Sequence, residues 1–220
     1  MGAFAEQVCA AEETIARKPA SLSFERAALV PVAGVTALQA MRDIEPGARV
    51  LVNGASGGVG TFAVQIARAR GAEVTGVCSG RNAALVRSLG AAHVVDYTRA
   101  DFTRSSTRYD RILDLVGSAP LSRCLRVLAP RGRYVSSVGR TRWILAAALR
   151  ALLSRRVEVL TAKTRTADLD ELRDLLEART IEPVVDRRFS LGEVPEALRY
   201  LATGRSRGKS SVRVAAGHEG

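Results

Sequence analysis

The chain has 220 residues, enough for one sizeable domain or a domain with an appendage. Hydrophobic residues make up 47% of it, which supplies a core and argues against wholesale disorder. Net charge is +11, from 33 Lys+Arg against 22 Asp+Glu. The arginines are scattered with few aromatics among them, which argues for a generic basic surface rather than a nucleic-acid interface.

Residues 4–20 read as one or two short strands without partners of their own, closed by a turn at Pro19. Residues 24–42 read as a helix, a break at Pro31 and a second helix leading to Pro46-Gly47. A strand over 49–54, a helix over 58–70, a strand over 73–78 and a helix near 81–89 closed by Gly90 follow. Strands are then expected at 93–97 and 111–116, a helix to Leu128, a strand at 133–138 and a helix at 143–153. A strand at 157–161 and a helix at 167–178 complete the alternation. Such an α/β alternation predicts a doubly wound parallel sheet of Rossmann type. The tail differs: a strand at 184–189, a short amphipathic helix at 193–202 and a strand at 210–214 read as a small appendage, with 215–220 frayed.

Cys9, Cys78 and Cys124 form neither a disulfide framework nor a zinc knuckle, which fits a reducing compartment. No basic segment followed by an apolar core opens the chain, so no signal peptide is read and the expected location is cytoplasmic. The longest apolar run, Trp143 to Leu153, has 11 residues and contains Arg150, too short to span a bilayer.

Between the strand Val50-Leu51-Val52 and the helix carrying Phe62, Ala63, Ile66 and Ala67 lies Ala55-x-Gly57-x-x-Gly60. This is the dinucleotide fingerprint with Ala in first position, in the strand–turn–helix context it needs. Gly57 lets the backbone approach a pyrophosphate, Gly60 lets helix and strand pack closely, and the helix N-terminus faces the phosphates. An NAD-specific site expects Asp or Glu about 20 residues on, for the ribose 2′-hydroxyl. Here Ser79-Gly80-Arg81 begins 24 positions after Ala55. A hydroxyl and a guanidinium bind a 2′-phosphate that a carboxylate would repel, so NADPH is the expected cofactor. The plainer alternative is that Arg81 is one surface arginine among many. No acid–base or nucleophilic constellation stands out: His93 lies on an expected strand, His218 in the tail, and Asp114 reads as a structural hydrogen-bonding carboxylate. Catalytic residues therefore remain unassigned.

Gly34-Val35-Thr36-Ala37-Leu38, Asn53 to Gly60, Leu89 to Tyr97, Leu113 to Gly117 and Arg207-Gly208-Lys209 occur in that order. Together they resemble the medium-chain dehydrogenase/reductase superfamily, in its zinc-independent quinone oxidoreductase branch. The resemblance implies that residues 1–25 are a remnant of a β-rich GroES-like catalytic domain. It implies a Rossmann domain over 26–178 and an appendage over 179–220 that returns to the catalytic side. It implies no metal, since the position of one later zinc cysteine in the alcohol-dehydrogenase branch falls around Val30-Pro31-Val32. By the same resemblance Ser56, Gly57, Gly58 and Val59 form the pyrophosphate turn, and Ser79, Arg81 and Tyr97 surround the 2′-phosphate. Leu115 and Val138 stand at strand ends on the crevice, Lys209 near the cofactor and Thr36 toward the nicotinamide. Tyr97 as an ordinary strand-end residue and Lys209 as a solvated tail residue stay open as alternatives. The implied activity is hydride transfer from NADPH to a quinone or α,β-unsaturated carbonyl, or alternatively a catalytically inactive nucleotide-binding module. The expected partners are a small-molecule substrate and either a second copy of the chain, paired through the edge near Val157 to Leu160, or a separate catalytic domain. Without such a partner Val184, Val185, Phe189, Leu191, Leu198 and Leu201 would stay wet.

Overall fold

Six short segments become the strands of one parallel sheet, in a computed structural model that describes residues 4–5, 7–137 and 156–214. They are β1 (Arg49–Asn53), β2 (Glu73–Cys78), β3 (His93–Asp96), β4 (Tyr109–Asp114), β5 (Leu128–Ser136) and β6 (Val157–Val159). Their spatial order is β3-β2-β1-β4-β5-β6, and every pairing is parallel. The chain leaves β1, builds one side of the sheet, and returns across β1 to build the other, as in a doubly wound fold.

The uninterrupted apolar run of β1 follows from burial on both faces. Val50 and Val52 point to one layer and Leu51 to the other, because side chains alternate along a strand. While α1 (Phe24–Ala28) contributes no buried residue, the first layer holds α2 (Pro31–Ala40), α3 (Gly58–Ala69), α4 (Ala83–Ser88) and, beyond α5 (Leu121–Arg126) of the opposite layer, α6 (Thr166–Glu177). Its core joins Leu38 and Met41 to Phe62, Ile66 and Leu172, all but inaccessible to solvent. Pro31 opens α2 as its first residue, where a missing N–H costs nothing. The opposite core is smaller and centres on Tyr109, Cys124 and Tyr134. Among the described residues no helix is long and apolar enough to cross a membrane.

The tail forms its own parallel pair, β7 (Val185–Ser190) and β8 (Lys209–Arg213), joined by α7 (Val194–Ala202). Gly208 ties this unit to the main sheet: its N–H donates to Ser56 O at 2.9 Å, and it bridges Gly57. Gly208 has φ +80, and a Cβ there would come within 2.8 Å of the Val184 side chain, so only glycine fits.

Three local expectations change. Residues 7–23 contain a 3-10 turn at Glu12–Thr14 and no strand. Neither sheet offers them a ladder of partners, and Val8 and Ile15 are 71% and 51% exposed. β5 begins at Leu128, five residues early, because Leu128 pairs with Tyr109 across a register shift before Arg111 pairs with Arg133. β6 stops at Val159 after three paired residues. Val138 and the helix expected over 143–153 lie outside the described residues.

Candidate functional site

The carboxyl ends of β1, β2 and β4 and the tail unit enclose a cleft of about 1420 Å³. Its floor is the turn between β1 and α3. Gly54 and Ala55 both donate backbone N–H groups to Val77 O, at 3.1 and 3.0 Å, which pins the turn to β2. The Gly57 N–H then donates to Gly54 O at 3.0 Å and closes it. No side chain caps α3, so the N–H groups of its first turn stay directed at the cleft. Gly60 stands so close to the strand that a Cβ there would lie 2.8 Å from Ala55 Cα and nearer still to Gly54 O.

Ser56, Gly57, Gly58, Val59 and Gly60 all line the cleft. So do Ser79, Arg81, Tyr97, Leu115 and Lys209. Tyr97 is 63% exposed at the rim, and Arg81 is exposed as well. Two expected positions are elsewhere. Ala55 is fully buried under the turn, facing Gly76 of β2. Thr36 sits in α2 with its hydroxyl donating to Val32 O at 2.6 Å, and it is not among the cleft residues. Val138 lies outside the described residues.

Lys209 is half-buried against the turn: a Cβ on Gly58 would lie 2.8 Å from Lys209 Cδ. Burial holds its ammonium below the ordinary lysine value, and no described carboxylate offsets that. A partly desolvated cation beside uncapped helix N–H groups is a complement for phosphate.

Several polar groups of the cleft escaped the sequence reading. Asn82 donates Nδ2–H to Ser56 Oγ at 3.0 Å, while its buried Oδ1 has no partner among the described residues. Ser206 Oγ is likewise buried and unpartnered at the cleft. These two orphaned groups suit the hydroxyls or amide of a polar ligand. Asn53 donates to Asp114 Oδ1 at 2.9 Å and to Ser118 Oγ at 3.3 Å. Asp114 is fully buried; its Oδ1 also accepts the Val116 and Gly117 N–H groups, and its Oδ2 accepts the Tyr134 hydroxyl at 2.6 Å. That carboxylate therefore braces the β4 turn, as its sequence position suggested. A polar residue closing an apolar strand, as at Asn53, was the available signal; Asn82 and Ser206 carried none.

Two carboxylates approach the rim. Asp96 Oδ1 accepts the Thr98 hydroxyl and N–H, at 2.8 and 3.0 Å, and the Gly80 N–H also donates to this carboxylate. These bonds, led by the Thr98 hydroxyl, hold it below the usual carboxylate range. Asp101 is held low in the same way by Thr103. His93 is exposed and meets Glu73 at 2.7 Å, far from catalytic company. Among the described residues no group of three or more His, Cys, Asp or Glu is placed to hold a metal ion.

A family model described as zinc-binding dehydrogenase matches residues 89–210. The mitochondrial NAD(P)H oxidoreductase RTN4IP1 of Mus musculus is 35% identical over 97% of this chain and 61% of its own length. The chloroplastic quinone-oxidoreductase QR1 of Triphysaria versicolor is 29% identical over 96% of this chain and 68% of its own length. The quinone oxidoreductase structure from Coxiella burnetii superposes with a TM-score of 0.85 at 34% identity, covering 94% of this chain and 66% of that one. The chain thus spans about three fifths of the first of these relatives.

Proposed function

The chain belongs to the zinc-binding dehydrogenase family of the medium-chain dehydrogenase/reductase superfamily, in its quinone oxidoreductase-like branch, and from that premise we propose an NADPH-dependent oxidoreductase acting on a quinone or α,β-unsaturated carbonyl. The observation that carries the reading is Lys209, a half-buried ammonium against Gly58 without an anionic partner among the described residues. When bound, the nicotinamide supplies the hydride, and the protein supplies position and electrostatics.

The uncapped first turn of α3 and Lys209 would hold the pyrophosphate. Asn82 Oδ1 and Ser206 Oγ offer buried acceptor and donor capacity for the sugar hydroxyls. Ser79, Arg81 and Tyr97 would surround a 2′-phosphate at the rim. Asp96 stays ionised near the rim, and Arg99, 3.8 Å from its Oδ2, offsets that charge. Leu115 and Val116 give the inner end an apolar wall, and Asp114 fixes their turn through two backbone N–H groups. Solvent can supply the proton that a reduced quinone or enone requires.

β6 ends the sheet with one edge unpaired among the described residues, and Leu198 and Leu201 of α7 are 51% and 48% exposed. A homodimer through that edge, or association with a separate domain, would cover these surfaces. A monodisperse monomer by size-exclusion chromatography with light scattering, binding no apolar dye, would contradict that part.

NADPH oxidation followed against a panel of quinones and enones tests the activity. Binding without turnover would leave a nucleotide-binding module, and absence of NADPH binding would overturn both readings.

A further inference from the structure

A second cavity, of about 270 Å³, lies away from the nucleotide cleft and shares no residue with it. Its wall is built on the sheet. Arg111 of β4 and Arg133 of β5 are direct neighbours in register, so two like charges stand side by side on one face. Such a pair is destabilising unless something lies between the charges. Arg111 is only 5% exposed; one terminal amino group donates to Ala40 O at 2.7 Å, while its buried Nε has no partner among the described residues. Burial and the neighbouring Arg133 push its guanidinium below the ordinary arginine value, against the opposing charges of Glu158 and Asp43.

The rest of the wall adds positive charge. Lys163 and Arg165 stand exposed at the mouth, and neither side chain forms an ion pair among the described residues. Arg42 is spoken for, since Asp168 accepts from it. Asp43 lies 3.6 Å from Arg133, and Glu158 completes the acidic side. The cavity thus has five basic residues against two acidic ones, and the Nε of its deepest cation has no partner among the described residues.

We propose that this cavity binds a small metabolite through a phosphate or carboxylate group, held between Arg111 and Arg133 with Lys163 and Arg165 closing over it. A guanidinium presents a planar fork that matches either oxyanion. The volume leaves room beside that group for the remainder of a small molecule, against Leu160 and Thr161. A desolvated arginine with an orphaned Nε is a cost in the empty protein that an oxyanion relieves.

The test is thermal unfolding in inorganic phosphate, and separately in malonate, each against sodium chloride of equal ionic strength. A ligand at ten times its Kd should raise Tm by roughly 3–6 °C in a chain of this size. Protection by phosphate alone or by malonate alone identifies the group, and protection by both supports either source. Arg111→Leu should abolish the effect. The surface variant K163A/R165A, whose fold is not at stake, should lose at least half of it. Equal unfolding in all three salts would overturn the proposal. So would full protection retained in K163A/R165A and Arg111→Leu, because the ion would then be acting elsewhere, including at the nucleotide cleft.

Discussion

Replacing Gly60 with Ala separates what the fingerprint glycines do for folding from what they do for binding. A Cβ at residue 60 would lie 2.8 Å from Ala55 Cα and 2.9 Å from Ala55 C, and closer to Gly54 O. All three are backbone atoms of a turn pinned by Val77, so none can swing aside. Overpacking costs about 1–3 kcal/mol, and a clash with backbone belongs at the upper end. Residue 60 lies inside α3, where Ala gains about 1 kcal/mol over Gly in helix propensity. The net loss is about 2 kcal/mol, or roughly 4–8 °C in Tm for a chain of this length. Gly57→Ala is the counterpart. Its Cβ would meet only Gly54 O, at 3.4 Å, and its φ of −83 suits any residue. Stability should hardly change, while the new methyl stands where a pyrophosphate must approach. Differential scanning fluorimetry and NADPH titration calorimetry on both variants decide. An unchanged Tm in Gly60→Ala, or undiminished NADPH affinity in Gly57→Ala, would refute the assignment.

Exchanging Ser79→Asp together with Arg81→Ala should reverse a preference for NADPH over NADH. A charge-assisted bond contributes about 1.5–3 kcal/mol, so the ratio of dissociation constants should move by roughly tenfold or more; a parent that binds both nucleotides equally would remove these residues as the selector. Asp114→Ala should destabilise by about 3 kcal/mol or more, since it robs Tyr134, Asn53 and two N–H groups of their buried acceptor. Tyr134→Phe removes one partner and should cost about 1–3 kcal/mol in urea unfolding; equal losses would show that the network is not centred on Asp114. Burial pushes the Cys124 thiol up to about 12 and also raises Cys78, whereas Cys9 is exposed. A disulfide reagent at pH 8 should therefore modify one thiol quickly in native protein and three in urea. The unfolded chain loses the Cys124 proton near pH 9 while the folded chain keeps it to about 12. Stability should accordingly fall as pH rises through that window; a flat alkaline limb in the Cys124→Ala difference would contradict this.

Apolar runs and the turn residues that bound them made the order of the βα units legible. A short β-branched run such as Val50-Leu51-Val52 suits a strand buried on both faces, and Gly71 and Gly90, with φ of +77 and +105, end helices that no side chain could end as cheaply. The fingerprint was legible because its spacing is local: Gly60 answers to Gly54 and Ala55, and Gly57 closes on Gly54, although Ala55 packs on Gly76 of the next strand. Tertiary structure decided what depends on distant segments. Lys209 reaches the turn only because Gly208 bridges Gly57, 151 positions earlier in the chain. Asn82 and Ser206 become orphaned polar groups only once the cleft closes around them. Thr36 stands among the buried residues of α2 and does not line the cleft, a placement that depends on how that helix packs. The side-by-side placement of Arg111 and Arg133 required the register of β4 on β5, which a shift after Tyr109 sets and no single strand encodes. Local chemistry writes itself into neighbouring residues, whereas register, burial and orphaned charge arise only when separate elements are brought together.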